Sequence, residues 1–154
     1  MMFMTAKVDM KKILIALAAL AGVIAGIVLI FSNTGSTATA APGASDNAAR
    51  VQFLQNYGWQ VTTSPVQSGQ VKIPDKSSDL FDRYNALQKS QGYDLSQYAG
   101  KTVMRYVYAV NNLPGSTDPV YATLLVYKDQ IIGGDITDTA PKGTVRGFQM
   151  PAAE

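Results

Sequence analysis

The chain has 154 residues, 13 of them Lys or Arg and 11 Asp or Glu, for a formal net charge of +2. It contains neither Cys nor His, and its single Glu is Glu154, which excludes thiolate nucleophiles, imidazole bases, disulfides and Cys/His metal centres. Acid–base or nucleophilic work would fall to Asp, Lys, Tyr, Ser and Thr. No arrangement of these stands out, so a non-enzymatic protein without cofactor or metal is expected.

The charge excess is local. Lys7, Lys11 and Lys12 against Asp9 account for all of it, and the chain beyond Phe31 is neutral. It lacks the basic stripe that binding to a phosphate backbone requires, so no nucleic-acid partner is expected.

Residues 13–31, "ILIALAALAGVIAGIVLIF", are uncharged and apolar throughout. A helix rises about 1.5 Å per residue, so this run spans roughly 30 Å, enough to cross a bilayer core. With lysines before it and none immediately after it, the positive-inside bias predicts a cytoplasmic tail over residues 1–12 and a single-pass signal-anchor helix over 13–31. Everything beyond then lies outside the cell membrane. A cleaved signal has the same charge order, and Ala38-Thr39-Ala40 would serve as its cleavage site, but the apolar run is longer than a signal core needs. Gly22 and Gly26 form a G-x-x-x-G spacing that permits close helix contact, although small residues are common in such segments.

Residues 32–45 are Gly, Ser, Thr, Ala and Pro with little else and predict a flexible linker. One domain follows over residues 46–150, with a frayed tail over 151–154. In "SDNAARVQFLQNYGW", Asp46 caps a helix with Ala49, Phe53, Leu54 and Tyr57 on its apolar side, and Gly58 stops it. "WQVTT" and "GQVKIP" read as two short strands around a turn. "SSDLFDRYNALQKSQG" predicts a second helix, capped by Ser77 or Ser78 and ended by Gly92. A single helical turn from Asp94 to Gly100 comes next.

"TVMRYVYAV", "VYATLLVY" and "IIGGDIT" then predict an antiparallel meander, its last two strands joined by a tight "KDQ" turn. The tail from residue 140 adds a short edge strand with Phe148 tucked back. The expected fold is α+β, in the order α-β-β-α-β-β-β, with both helices packed on one face of an antiparallel sheet and tyrosines partly covering the other.

The segments "FLQNYGW", "FDRYNALQKSQGYDLSQYAGKTVMRYVYAV", "VYATLLVYKDQIIGGDI" and "GTVRGF" resemble an uncharacterised exported Firmicutes domain, the domain-of-unknown-function family numbered 4830. The resemblance covers nearly all of residues 48–148. It implies a bacterial envelope setting behind one membrane segment and supplies no catalytic residue.

The stretch most like a site is "QIIGGDITD", residues 130–138. A phosphate-cradling loop would place its glycines ahead of a helix, whereas here "DITDTAP" follows and holds no Lys, so no nucleotide is expected. In a regular strand Ile132, Gly134 and Ile136 share one face. A bulge at the glycine pair instead groups Ile131 with Ile136, and Asp135 with Ile132. In both registers Asp135 faces away from Ile136, with Gly133 and Gly134 forming a structural notch.

Two readings of that notch stay open. In one, a ring such as Tyr106 or Tyr108 packs over the glycine and Asp135 pairs with Arg105. In the other, Arg105, Tyr106, Tyr108 and Asp135 line a shallow ligand groove on an exposed sheet face. Trp59 would join such a groove or anchor the core. Asp129, Asp135 and Asp138 are the candidates for a calcium site, at a spacing that fits no EF-hand.

The function expected is a membrane-tethered extracytoplasmic binding or interaction module of a bacterial cell envelope, with an envelope protein or cell-wall glycan as partner. The alternatives are a small Asp-dependent envelope hydrolase, a cleaved and secreted form of the same domain, or a structural role in a larger complex.

Overall fold

A computed structural model describes residues 44–152. The expected cytoplasmic tail, membrane helix and all but the end of the linker lie outside the described residues. Among the described residues no helix is long and apolar enough to cross a membrane.

Helix α1 spans Asn47–Asn56, its N-cap Asp46 accepting a hydrogen bond from the Ala48 N–H. Gly58 follows at φ +94°, the left-handed stop foreseen for it. Strand β1 (Gln67–Lys72) precedes α2 (Asp79–Ser90), whose N-cap Ser78 accepts from the Phe81 N–H at 3.2 Å. Asp79 and Asp82 in its first turn and Lys89 in its last complement the helix dipole. A 3-10 turn over Leu95–Tyr98, capped by Asp94, leads into β2 (Thr102–Val110), β3 (Val120–Tyr127), β4 (Gln130–Asp138) and β5 (Val145–Arg146).

The five strands form one antiparallel sheet in chain order. The expected strand at "WQVTT" reduces to one bridge, Val61 to Val110. Ser64-Pro65 interrupts it, since proline offers no N–H to a ladder. The pairing resumes at Val66, whose N–H donates to the Val107 carbonyl.

The helices do not share a face. Leu54 of α1 belongs to one core cluster with Trp59, Tyr108, Val110, Ala122, Leu124, Ile136 and Phe148. Phe81 of α2 belongs to another with Ile73, Leu95, Val103, Leu125 and Ile132. Leu124 and Leu125 are successive residues of β3 and must point to opposite sides of the sheet. The sheet is therefore a middle layer, with α1 on one face and α2 and the 3-10 turn on the other. Burial of every β3 residue from Ala122 to Val126 is the sequence's trace of this arrangement, because a strand covered on both faces loses its polar alternation. Of the sheet tyrosines expected to cover a second face, Tyr106 and Tyr108 lie under α1, whereas Tyr127 packs in the α2 cluster.

Between β3 and β4 the register runs from Leu125 opposite Gly133 to Val126 opposite Ile131, leaving Ile132 as an extra residue. That bulge groups Ile131 with the Ile136 cluster and places Ile132 in the α2 cluster, the second of the two registers the sequence allows.

Candidate functional site

Asp135 projects toward α2, on the face opposite Ile136, and is 3% exposed. Tyr84 Oη donates to its Oδ2 at 2.7 Å, and Thr137 Oγ1 donates to Oδ1 at 2.6 Å. Burial raises the Asp135 carboxyl above its ordinary value, while the bonds from Thr137 and Tyr84 and the nearby Arg105 charge pull it part of the way back. Burial and the Asp135 charge push the Tyr84 hydroxyl well up, so it stays a donor.

The face carrying Asp135 is closed by a tyrosine of α2, not open to solvent. Arg105 shares that face, but its guanidinium donates to Gln67 Oε1 at 3.2 Å and makes no ion pair with Asp135. Tyr106 and Tyr108 point the other way. Arg50 of α1 lies over the Tyr106 ring, 3.6 Å from its centroid, and donates from Nε to Tyr108 Oη at 2.8 Å. Tyr108 Oη in turn donates to Asn47 Oδ1. Arg105, Tyr106, Tyr108 and Asp135 therefore do not line one groove: strand alternation separates Arg105 and Asp135 from the two tyrosines.

The notch is filled by other residues than those foreseen. A Cβ on Gly134 would meet the Thr123 carbonyl oxygen and stand 2.6 Å from Phe148 Cζ, and one on Gly133 would stand 2.8 Å from Gln88 Oε1. Gln88 Oε1 accepts the Gly134 N–H at 2.8 Å. Gln91 Nε2 donates to the Gly134 carbonyl at 3.2 Å, and its Oε1 accepts the Phe148 N–H at 2.7 Å. Two glutamine amides thus serve the edge of β4 that β5 leaves unpaired, since β5 reaches only Ile136 and Thr137. Nothing in the sequence singled out these glutamines, because glutamine on a polar helix face reads as solvated.

The calcium candidates are dispersed. Asp129 takes donors from Ser45, Asp135 from Tyr84 and Thr137, and Asp138 from Ser116 and the Ala140 N–H. Among the described residues no three His, Cys, Asp or Glu are grouped to hold a metal ion. Trp59 is 1% exposed and donates from Nε1 to the Phe148 carbonyl at 2.6 Å, which makes it a core anchor.

What is open is a cleft of about 310 Å³ beside the start of β4, lined by Lys89, Gly92, Tyr93, Asp94, Gln97, Tyr98, Ile131 and Ile132. Gly92 ends α2 at φ +90° and turns the chain so that Tyr93 and Asp94 come back toward the sheet. Asp94 Oδ1 accepts from Ser96 Oγ at 2.6 Å, Asn85 Nδ2 at 2.9 Å and the Ser96 N–H at 3.0 Å. These bonds, led by the Ser96 hydroxyl and the Asn85 amide, lower its carboxyl to about 2. Its Oδ2 has only Lys89 Nζ, at 4.0 Å. The cleft therefore offers a fixed carboxylate, an ammonium, the Gln97 amide and two half-buried tyrosine rings. That set suits a polar ligand with hydroxyl or amide groups and a flat apolar side.

Residues 53–136 match the family described as Domain of unknown function (DUF4830). No curated protein and no solved structure matches the chain.

Proposed function

The chain belongs to the DUF4830 family, and on that premise we propose that it is a membrane-tethered, extracytoplasmic binding module of a bacterial envelope whose cleft at Tyr93, Asp94, Gln97 and Tyr98 takes a cell-wall glycan. The apolar run over residues 13–31 supplies the tether, and the linker joins it to the domain.

The observation that carries the binding site is the cleft's pairing of tyrosine rings with a carboxylate whose Oδ2 takes no hydrogen bond and faces only Lys89 Nζ, at 4.0 Å. Sugar rings present an apolar C–H face beside hydroxyl edges, and such a surface meets both needs. Burial raises the Tyr93 hydroxyl above its ordinary value, so at neutral pH it is a neutral donor. The enclosure of Asp135 by Tyr84 and Thr137 weighs against the alternative Asp-dependent hydrolase, since a glycosidase needs two carboxylates flanking an accessible bond.

Co-sedimentation of the detergent-solubilised full chain with purified cell wall tests the binding site. Retention is expected, with at least about a tenfold loss in Tyr98→Ala combined with Gln97→Ala, for a stacked ring and a hydrogen-bonding amide at roughly 1 kcal/mol each. Retention that ignores both substitutions refutes the cleft. Protease added to intact protoplasts should remove the domain, and full protection refutes the outward orientation.

A further inference from the structure

The end of the sheet at which the described chain begins carries a second signal next to the cleft, since its Tyr127 packs against Tyr98 with ring centroids 5.5 Å apart. The Ala44 N–H donates to the Asp129 carbonyl at 2.9 Å and the Ser45 N–H to Asp129 Oδ1 at 2.7 Å. Arg50 Nη1 holds the carbonyls of Ala44 and Ser45 at 2.8 and 2.6 Å. The linker is thus fastened to the β3–β4 turn.

The register places other residues at the same end. Lys72 pairs with Thr102, the Ile73 N–H donates to the Lys101 carbonyl, and Tyr127 pairs with Gln130 across the turn. Lys72, Lys101 and Lys128 are all exposed there. Of the carboxylates at this end, Asp75 pairs with Lys72 at 3.5 Å and Asp129 is held ionised by its bonds from Ser45, so the three lysines against these two leave an excess of one positive charge. Among the described residues Lys101 and Lys128 have no carboxylate partner. Asp79 and Asp82 stand further on, in the first turn of α2. At the opposite end, beyond Val110 and Val120, lie Asp118 and Asp138 with Lys142 in the neighbouring loop.

Lys128 also occupies a costly position. It stands at φ +45° and Asp129 at φ +66° in a two-residue hairpin turn, a conformation that favours Asn and Gly. Turn chemistry does not account for a lysine there.

Residues 32–43 separate the apolar run from Ala44. A flexible chain of twelve residues has a root-mean-square reach of roughly 20 Å, shorter than the roughly 30 Å length of a nine-residue strand. The fastened end is therefore within easy reach of the bilayer surface. We propose that this end docks on the phospholipid headgroups of the membrane entered by residues 13–31, with Lys101 and Lys128 against anionic headgroups and Tyr127 beside them. The proposal rests on the tether reading above. The turn is the contact, and the far loops are held away from the bilayer.

Because the chain is free of cysteine, single cysteines can report distance from the headgroups in the full chain. Fluorophores on Gln130→Cys, beside the turn, and on Thr117→Cys, in the far loop, would be compared in lipid nanodiscs carrying a headgroup quencher. Strong quenching at position 130 and weak quenching at 117 is expected with phosphatidylglycerol, falling with phosphatidylcholine. It should also fall at 1 M salt, where the screening length shrinks to about 3 Å. Lys101→Glu with Lys128→Glu should lower the docked-to-undocked ratio by at least roughly 25-fold, at about a factor of five per lysine, while Trp59 fluorescence shows the domain still folded.

Equal quenching at both positions overturns the docking, as does quenching at 130 that ignores lipid charge and both substitutions. A chain that does not enter the discs refutes the tether and the docking with it. Entry with a free turn refutes the docking alone.

Discussion

A carboxylate enclosed by a helix stays in place only if its lost hydration is offset, and Asp135 has two hydroxyl donors to do it. The offset is incomplete, since its carboxyl is raised. A group raised in the folded state contributes stability that is full below its unfolded value, near 3.8, and is lost as pH rises through the folded value. Asp135→Asn should therefore leave the protein at least as stable at pH 7 and flatten the decline in stability above pH 4. Denaturant midpoints between pH 3 and 8 measure this, and a uniform loss across that range would show the carboxylate to be net stabilising. Tyr84→Phe removes one donor and leaves a buried acceptor short, at a cost of about 1–3 kcal/mol. The cost should shrink in the Asp135→Asn background, where no charge is left exposed to the loss. Strand parity alone made the side of Asp135 legible in the sequence. Its partner was not legible, because Tyr84 lies 51 residues away on a helix whose apolar face reads as ordinary core.

At the level of elements, the glycine pair in β4 makes room for neighbouring side chains and backbone. Gly134→Ala would drive a methyl group into the Thr123 carbonyl and the Phe148 ring, and should destabilise by about 3 kcal/mol or more. Gly69→Ala in β1, where nothing lies within 4 Å, should change stability by less than about 0.5 kcal/mol. Thermal or urea unfolding of the pair separates close packing from a general intolerance of side chains at strand glycines. The helix starts at Asp46 and Ser78 and the stops at Gly58 and Gly92 were legible because cap chemistry is local. The meander was legible from its tight turn and β-branched runs. The side of the sheet each helix takes was not, since it depends on how the chain passes around β1, and a run buried on both parities is compatible with several covers. The cleft was equally hidden: Tyr93, Asp94 and Tyr98 meet Ile131 and Ile132 only through a turn and a bulge, neither of which has a period to detect.

For the whole molecule, closure depends on the tail whose Phe148 the sequence leads one to expect tucked back. After the two residues of β5 the chain leaves the sheet edge, held by Gln91, and delivers Phe148 onto the α1 face. There its ring meets Phe53 edge-on, with centroids 5.1 Å apart, and lies 5.7 Å from Tyr57 and 6.4 Å from Tyr93. Its carbonyl takes the Trp59 N–H. One residue thus joins α1, the segment after α2, Gly134 of β4 and the sole tryptophan. Phe148→Ala should cost about 3–5 kcal/mol by leaving a cavity over Gly134. At about 4–8 °C per kcal/mol for a domain near 100 residues, the melting temperature should fall by at least roughly 12 °C. The Trp59 emission should shift to the red in the native baseline, because the indole loses the segment that shields it. A Phe148→Leu variant, which keeps most of the apolar volume and the backbone bond to Trp59, should recover much of both signals. If Phe148→Ala melts like the parent with an unshifted tryptophan, the tail is an ornament on a core already complete. The layered arrangement would then have to be stable on the contacts of β2, β3 and β4 with the two helices alone.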